Sequence, residues 1–237
     1  MTPIYMRVAD RLEAEISKRT PGTELPSENE LARTYRISRL TARASLEELE
    51  RRCLVRRSQG KRTLVARRID YVIGPERSPS WSEGVKLSGA TPRSQTERLQ
   101  LRKAPAAIRA ALHIDARTPT LFLARKRFVD GELAAVADTW LVADLVPMLA
   151  ERLAPDASLH DILSRVYRLT PRRAWSRAQF VIAPSAIARR LDLEGRPFVL
   201  RLTGVAVSHK LGRPIEITTS WLRADVFNVV FEMGRPL

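Results

Sequence analysis

Apolar positions recur every fourth residue at the start of the chain. Ile4, Val8, Leu12 and Ile16 mark one face of an amphipathic helix. Thr2 is placed to cap it, with Pro3 at the first helical position, where a missing N–H costs nothing. Thr20-Pro21-Gly22-Thr23 ends the segment in turn residues. Ser27 and Glu30 form an S-x-x-E capping box that opens a short second helix through Leu31 and Ala32. Ser38 caps a third, in which Ala42, Leu46 and Leu49 point inward. The few residues between the second and third helices give the spacing of a helix-turn-helix. Residues 54–57 and 63–65, joined by Ser58-Gln59-Gly60-Lys61, read as a small basic hairpin.

The pattern changes after residue 68. Residues 69–80 hold Gly74, Pro75, Ser78, Pro79 and Ser80 and read as a linker. The domains expected are therefore 1–68, a linker over 69–80, and 81–237. In the last of these, 94–101 alternates as a strand and 105–112 reads as a helix. Residues 121–128 and 133–141 make a hairpin around Asp130-Gly131. Residues 145–153 and 159–166 read as helices, 175–182 as a strand, and Pro184 opens a helix through Leu191. Strands over 198–207, 215–222 and 226–231 complete the chain. Adjacent strands with interspersed helices predict an antiparallel α+β domain.

Composition narrows the partners. The 237 residues are 44% hydrophobic and carry a formal net charge of +15, which excludes global disorder and favours a polyanion such as nucleic acid. Both parts are basic: residues 1–70 hold 16 Lys and Arg against 10 Asp and Glu, and the remainder 25 against 16. DNA explains the first excess, and the second invites an anionic ligand. Cys53 is the one cysteine, within an apolar helical pattern, and reads as packing. It and three scattered histidines, His113, His160 and His209, give no metal-ligand spacing. No cofactor is implied. The absence of a long apolar run or a leader pattern predicts a cytoplasmic protein without membrane partners.

The third helix carries the candidate chemistry. Arg39 and Arg43 are four residues apart and share a face. Arginine can bond guanine with both arms of its fork, and Thr41 can bond a base edge or meet a thymine methyl. Ser38 caps the helix and can touch phosphate. Gln59, Gly60 and Lys61 form the wing tip, where glycine permits close approach to the DNA backbone. Arg51, Arg52, Arg56 and Arg57 are a weaker signal, since runs of charge are usually solvated.

These residues bring a resemblance. Pro3-Ile4-Tyr5, Leu25-Pro26-Ser27-Glu28, Ser38-Arg39 with Arg43, and Gly60 with Thr63-Leu64-Val65 resemble the winged-helix domain of GntR transcriptional regulators. The resemblance implies base contacts from Arg39, Thr41 and Arg43 and backbone contacts from Ser38 and Gly60. The chain departs from the family at Asn29, where arginine is frequent, at Leu40, where threonine is common, and at Arg62, which replaces a second wing glycine. Asn29 and Leu40 thus stand among the DNA-contact positions with residues of this chain's own, and the operator does not transfer from relatives.

In the second part, residues 121, 123, 125 and 127 share one face of a strand, so two leucines lead into Arg125 and Arg127. Buried arginines need anionic partners. Glu216, between Ile215 and Ile217, and Asp138, between Ala137 and Thr139, can pair with them or bind ligand hydroxyls. Cross-strand ion pairs and a ligand site fit these residues equally. Trp140 and Trp221 read as core. The stretches Arg125-Lys126-Arg127-Phe128-Val129-Asp130-Gly131-Glu132-Leu133 and Leu211-Gly212-Arg213-Pro214-Ile215-Glu216 resemble the UTRA effector domain of the HutC subfamily. Leu169-Thr170-Pro171 to Ala178, then Gly212 to Asp225, is most similar to regulators of phosphonate metabolism. That resemblance implies a chorismate-lyase-like antiparallel sheet with flanking helices. It also implies an anion on Arg125 and Arg127, with Glu216 near the ligand. Asp138, Arg177 and Arg223 are further candidates to line the pocket.

The function expected is a dimeric, ligand-responsive transcription factor, a repressor on a near-palindromic operator, relieved by an anion such as phosphate, a phosphonate, a sugar phosphate or a carboxylate. A lyase-like enzyme and an effector-independent DNA-binding protein are the alternatives. No nucleophile–base pair favours the enzyme.

Overall fold

The computed structural model describes residues 2–56, 62–66, 68–74, 77–154 and 156–233. The chain divides into two compact units, Met1–Arg68 and Ile69–Leu237.

The first unit holds α1 (Ile4–Ile16), α2 (Glu28–Tyr35), α3 (Arg39–Arg51), β1 (Val55–Arg56) and β2 (Leu64–Val65). Val8, Leu12 and Ile16 of α1 pack with Leu31, Leu46, Leu49, Val55 and Val65. The expected cap at Thr2 is absent. Pro3 is the N-cap, with extended ψ of 149°, and its carbonyl receives the N–H groups of Met6 and Arg7. Ile4 lies in the overhanging first turn and is exposed.

The capping box forms as expected. The Ser27 N–H donates to Glu30 Oε2 at 2.7 Å and the Glu30 N–H to Ser27 Oγ at 3.3 Å, which holds the Glu30 carboxyl below its ordinary range. Between α2 and α3 lie Arg36, Ile37 and Ser38. The Ile37 N–H closes α2 on the Ala32 carbonyl, and Ser38 caps α3 by accepting from the Thr41 N–H at 3.1 Å. β1 and β2 are antiparallel, with Val55 opposite Val65, and residues 22–25 bond to the outer side of β2. The wing-tip residues Gln59, Gly60 and Lys61 lie outside the described residues, as does Arg57.

In the second unit the expected linker begins as a strand. β3 (Ile69–Ile73) pairs in parallel with β10 (Phe227–Phe231), and Ile69, Tyr71 and Ile73 alternate into the core. The turn-forming residues hid this short period-2 pattern. They also hid α4 (Trp81–Leu87), which Ser80 caps. Gly84 sits mid-helix because the Tyr71 ring presses there; a Cβ would stand 2.7 Å from it.

Six antiparallel strands form the main sheet, in the order β4-β5-β6-β9-β8-β7: β4 (Pro92–Leu101), β5 (Thr120–Val129), β6 (Glu132–Val142), β9 (Arg213–Arg223), β8 (Phe198–Ser208) and β7 (Pro171–Ile182). Asp130 and Gly131 make the β5–β6 turn with φ of 49° and 83°, the two positive values that a tight hairpin requires. On one face α5 (Ala106–Leu112) covers Phe122, Trp140 and Ile217, and α8 (Ser185–Arg190) covers Val136 and Val199. Trp140 is thus core, and Trp221 packs partly buried beside α8. On the other face lie α6 (Leu149–Arg152), α7 (Leu159–Arg165), α4, β3 and β10. The helix expected over 145–153 is broken into a 3-10 turn, Ala143–Leu145, and α6. Pro147 lacks the N–H to continue, and Met148 turns left-handed at φ 59°.

Cys53 also departs from expectation. It is the left-handed residue just past α3, at φ 56°, where its N–H meets the Glu50 carbonyl and the Leu54 N–H meets Leu49. α2, α5 and α8 end in the same motif at Arg36, His113 and Asp192, in place of the usual glycine. A Cβ is disfavoured in this conformation. His113→Gly, at an exposed site, is expected to raise the unfolding free energy by roughly 0.5–1 kcal/mol, read by urea denaturation; a loss of stability contradicts the strain.

Candidate DNA-reading helix and ligand seat

The first turn of α3 is presented outward. Leu40 is 78% exposed, the most open large apolar side chain among the described residues of this unit. Arg39 reaches back to Glu28 of α2 at 3.1 Å, and Arg43 to Glu47 at 2.9 Å. Both guanidinium groups are largely exposed, and exposed pairs of this kind hold about 0–1 kcal/mol each. They can be exchanged for DNA at little cost. Ser38 and Asn29 are exposed beside them, and Thr41 is half-buried with its hydroxyl 2.9 Å from that of Ser38. Arg52 differs. It bonds Asp10 at 2.7 Å, Glu13 at 2.6 Å and Glu48 at 2.9 Å, and so ties α1 to α3.

The sheet carries a second concentration of charge. Register places Thr96, Arg125, Ala137 and Ser220 in one row and Ser94, Arg127, Ala135 and Leu222 in the next. The two alanines of β6 leave room for arginines to lie across it. Arg127 does so, and its Nη1 donates to Ser220 Oγ on β9 at 3.1 Å. Its guanidinium carbon stands 5.1 Å from the Trp81 ring centroid. Arg125 is 4% exposed and donates from Nη2 to the Ala157 carbonyl at 2.7 Å. Burial, helped by repulsion from Arg127, pushes its guanidinium down to about 10. Burial also pushes Arg127 down. Arg125, at about 10, stays charged at neutral pH. Glu216, equally buried, meets His160 Nε2 of α7 through Oε1 at 2.6 Å.

Among the described residues, seven of eight buried side-chain polar atoms without a hydrogen-bond partner belong to this one face. They are Trp81 Nε1, Thr96 Oγ1, Arg125 Nε, Arg127 Nε, Arg173 Nε and Nη2, and Glu216 Oε2. Folded proteins seldom leave such atoms unmet, and their convergence marks a place for a polar ligand. Paired guanidinium groups with nearby hydroxyls suit an oxyanion; Glu216 and His160 suit hydroxyls.

Arg125, Arg127 and Glu216 therefore come together, but the other three expected pocket residues do not. Asp138 stands opposite Ala124 and Thr219, on the reverse face, where it pairs with Arg190 at 2.9 Å. Burial raises its carboxyl, and Arg190 pulls it back. Arg223 also faces away and grips Asp225 through both arms, at 3.0 and 2.6 Å. Arg177 is exposed on β7 beside Trp175, because a bulge between Arg173 and Trp175 reverses the strand's parity. The same bulge turns Arg173 inward. Arg173, His160, Trp81, Thr96 and Ser220 escaped the sequence reading; strand register brings Arg173, Thr96 and Ser220 to this face, and helix packing brings His160 and Trp81.

The pattern of the GntR family of bacterial regulatory proteins matches residues 4–65, and that of the UTRA domain matches residues 87–228, more than half of the chain. The chain belongs to the GntR family, with a UTRA domain of the HutC type. It is 27% identical over 233 residues to the HTH-type transcriptional regulator GgaR of Escherichia coli strain K12, spanning 98% of this chain and 91% of the relative. It is 25% identical over 237 residues to the HTH-type transcriptional repressor NagR of Bacillus subtilis strain 168, spanning 98% and 96%. The crystal structure of PhnF from Mycobacterium smegmatis superposes with a TM-score of 0.66 at 24% identity, covering 97% of this chain and all of that one, and shows the same fold. The chain is a transcriptional regulator rather than an enzyme. Regulators of this family bind DNA, and UTRA domains bind small-molecule effectors. Among the described residues, no helix is long and apolar enough to cross a membrane.

Burying a guanidinium without a carboxylate in direct contact costs stability. Arg127→Met is expected to raise the unfolding free energy of the ligand-free protein by about 1–3 kcal/mol, visible as a higher Tm. A lower Tm would assign Arg127 to the structural core.

Proposed function

We propose that this regulator is a repressor that binds a near-palindromic operator as a dimer and releases it when a small anion occupies the UTRA domain. The observation that carries the reading is the pair Arg125 and Arg127. Both guanidinium groups are set into the sheet, and among the described residues they bond only a carbonyl and a hydroxyl. An anionic effector, such as phosphate, a phosphonate, a sugar phosphate or a carboxylate, completes them. On the DNA side, Arg39, Leu40, Thr41 and Arg43 read base edges, with Asn29 beside them, while Ser38 and the wing residues Gln59, Gly60 and Lys61 hold the backbone. The outward first turn of α3 supports this assignment. The open outer edge of β7, with Trp175, Phe180 and Ile182 exposed, supports pairing of two copies. The repressor name of the NagR relative favours negative control. An effector relieves repression only by binding the DNA-released arrangement more tightly.

Operator binding by wild type and variants tests the whole reading. Arg39→Ala and Arg43→Ala are each expected to weaken specific binding by about 1–3 kcal/mol with the fold intact. Arg125→Ala is expected to bind the operator as wild type does, but to resist release by sugar phosphates that displace the wild type. Unchanged operator affinity in both head variants overturns the reading helix; release that survives in Arg125→Ala overturns the anion seat.

A further inference from the structure

We infer that the ligand seat has a second cationic pole at Arg173, so that its effector carries an anionic group at each end of a hydroxylated chain. This rests on the reading that Arg125 and Arg127 hold an anion, and it adds what lies at the other end.

Arg173 enters from β7, at the opposite border of the sheet from β4. The bulge after it sets its side chain on the same face as Arg125. Its Nη1 donates to Ser176 Oγ at 3.0 Å, while Nε and Nη2 are buried without partners. The guanidinium lies over β8 at Gly204, where a Cβ would stand 3.9 Å from Nη1, 3.1 Å from Ser176 Oγ and 3.2 Å from the Trp175 carbonyl oxygen. Gly204 has no left-handed backbone to explain it. The lane that carries Arg173 inward explains it. Two unmet guanidinium donors in a buried position cost free energy that a neutral ligand end recovers only in part, and a carboxylate or phosphate recovers best.

Register sets the distance between the poles. Arg127 ends on Ser220, and Arg173 ends over Gly204. Ser220 pairs with Leu202, and Gly204 with Thr218, so Ser220 and Gly204 are diagonal neighbours, about 7–8 Å apart. Thr218, opposite Gly204, adjoins both, its hydroxyl 2.8 Å from that of Thr139, and the unmet Oε2 of Glu216 lies one row further along β9. A ligand charged at one end only leaves the far guanidinium unpaired. The class that satisfies both ends and the polar groups beside them is a phosphorylated sugar acid or its phosphonate equivalent.

Two matched pairs of probes test this by calorimetry on the full chain: 3-phosphoglycerate against glycerol 3-phosphate, and 6-phosphogluconate against glucitol 6-phosphate. Within each pair only one end differs, a carboxylate against an alcohol. The acid of at least one pair is expected to bind wild type about tenfold more tightly than its alcohol. Arg173→Gln should erase that advantage, weakening the acid far more than the alcohol. Arg125→Ala should weaken acid and alcohol alike; if it does not, the anion seat itself fails, and the second pole with it. Equal affinity within both pairs, no binding by any of the four compounds, or an advantage that survives Arg173→Gln each overturns the second pole while leaving the Arg125 result to be read separately. Independently of any ligand, Arg173→Met should raise the Tm of the ligand-free protein. A lower Tm makes Arg173 a structural residue and overturns the inference.

Discussion

A buried guanidinium group needs an anion, and the second unit is arranged around guanidinium groups that, among the described residues, no carboxylate pairs with directly. Arg125 and Arg127 lie across β6 because Ala135 and Ala137 give them room, and Arg173 lies across β8 because Gly204 does. α7 supplies His160 to Glu216, and α4 supplies Trp81 to Arg127, so elements on this face serve both core and site. The opposite face shows the contrast. There Asp138, Arg190 and Glu97 satisfy one another, and the charges hold α8 against the sheet. One face is electrically closed, whereas the other is left for something to bind.

The reading head follows a different economy. Its fold is fixed by backbone capping at Ser27 and Ser38 and by the Arg52 cluster, all away from the outward first turn of α3. Arg39 and Arg43 contribute little to that fold, since their ion pairs are solvated. Side chains that the fold can spare are the ones a DNA surface can use. The same division holds across the protein: stability comes from capped helices and apolar rows, and function from polar groups the fold leaves incompletely met.

Much of this was legible in the chain. The Ser27–Glu30 capping box, the Ser38 cap and helical periodicity point to α2 and α3 because these signals are local, and the Asp130-Gly131 turn points to the β5–β6 hairpin for the same reason. Arg125, Arg127 and Glu216 emerged from parity together with family likeness. What failed depended on long-range register. Asp138 reads as a pocket residue yet lies on the reverse face, because parity within a strand is visible in the sequence while parity between strands is not. The sequence points to Arg177 and is silent on Arg173 because a bulge leaves no mark in it. The strand at 69–73 and the helix at 81–87 were hidden by the prolines, serines and glycine that surround them, and only the packing of Tyr71 on Gly84 and of Trp81 on Phe227 explains why they form.

The guanidinium Nε–H signals of selectively labelled protein offer the most direct test that this polar face is an anion seat. Arg68 Nε is also buried without a partner, but in the other unit, and serves as an internal reference. On titration with inorganic phosphate at constant ionic strength, the account predicts saturable shifts of the Arg125 and Arg127 signals with that of Arg68 unmoved. Static signals from Arg125 and Arg127, or equal drift of all three, would contradict it.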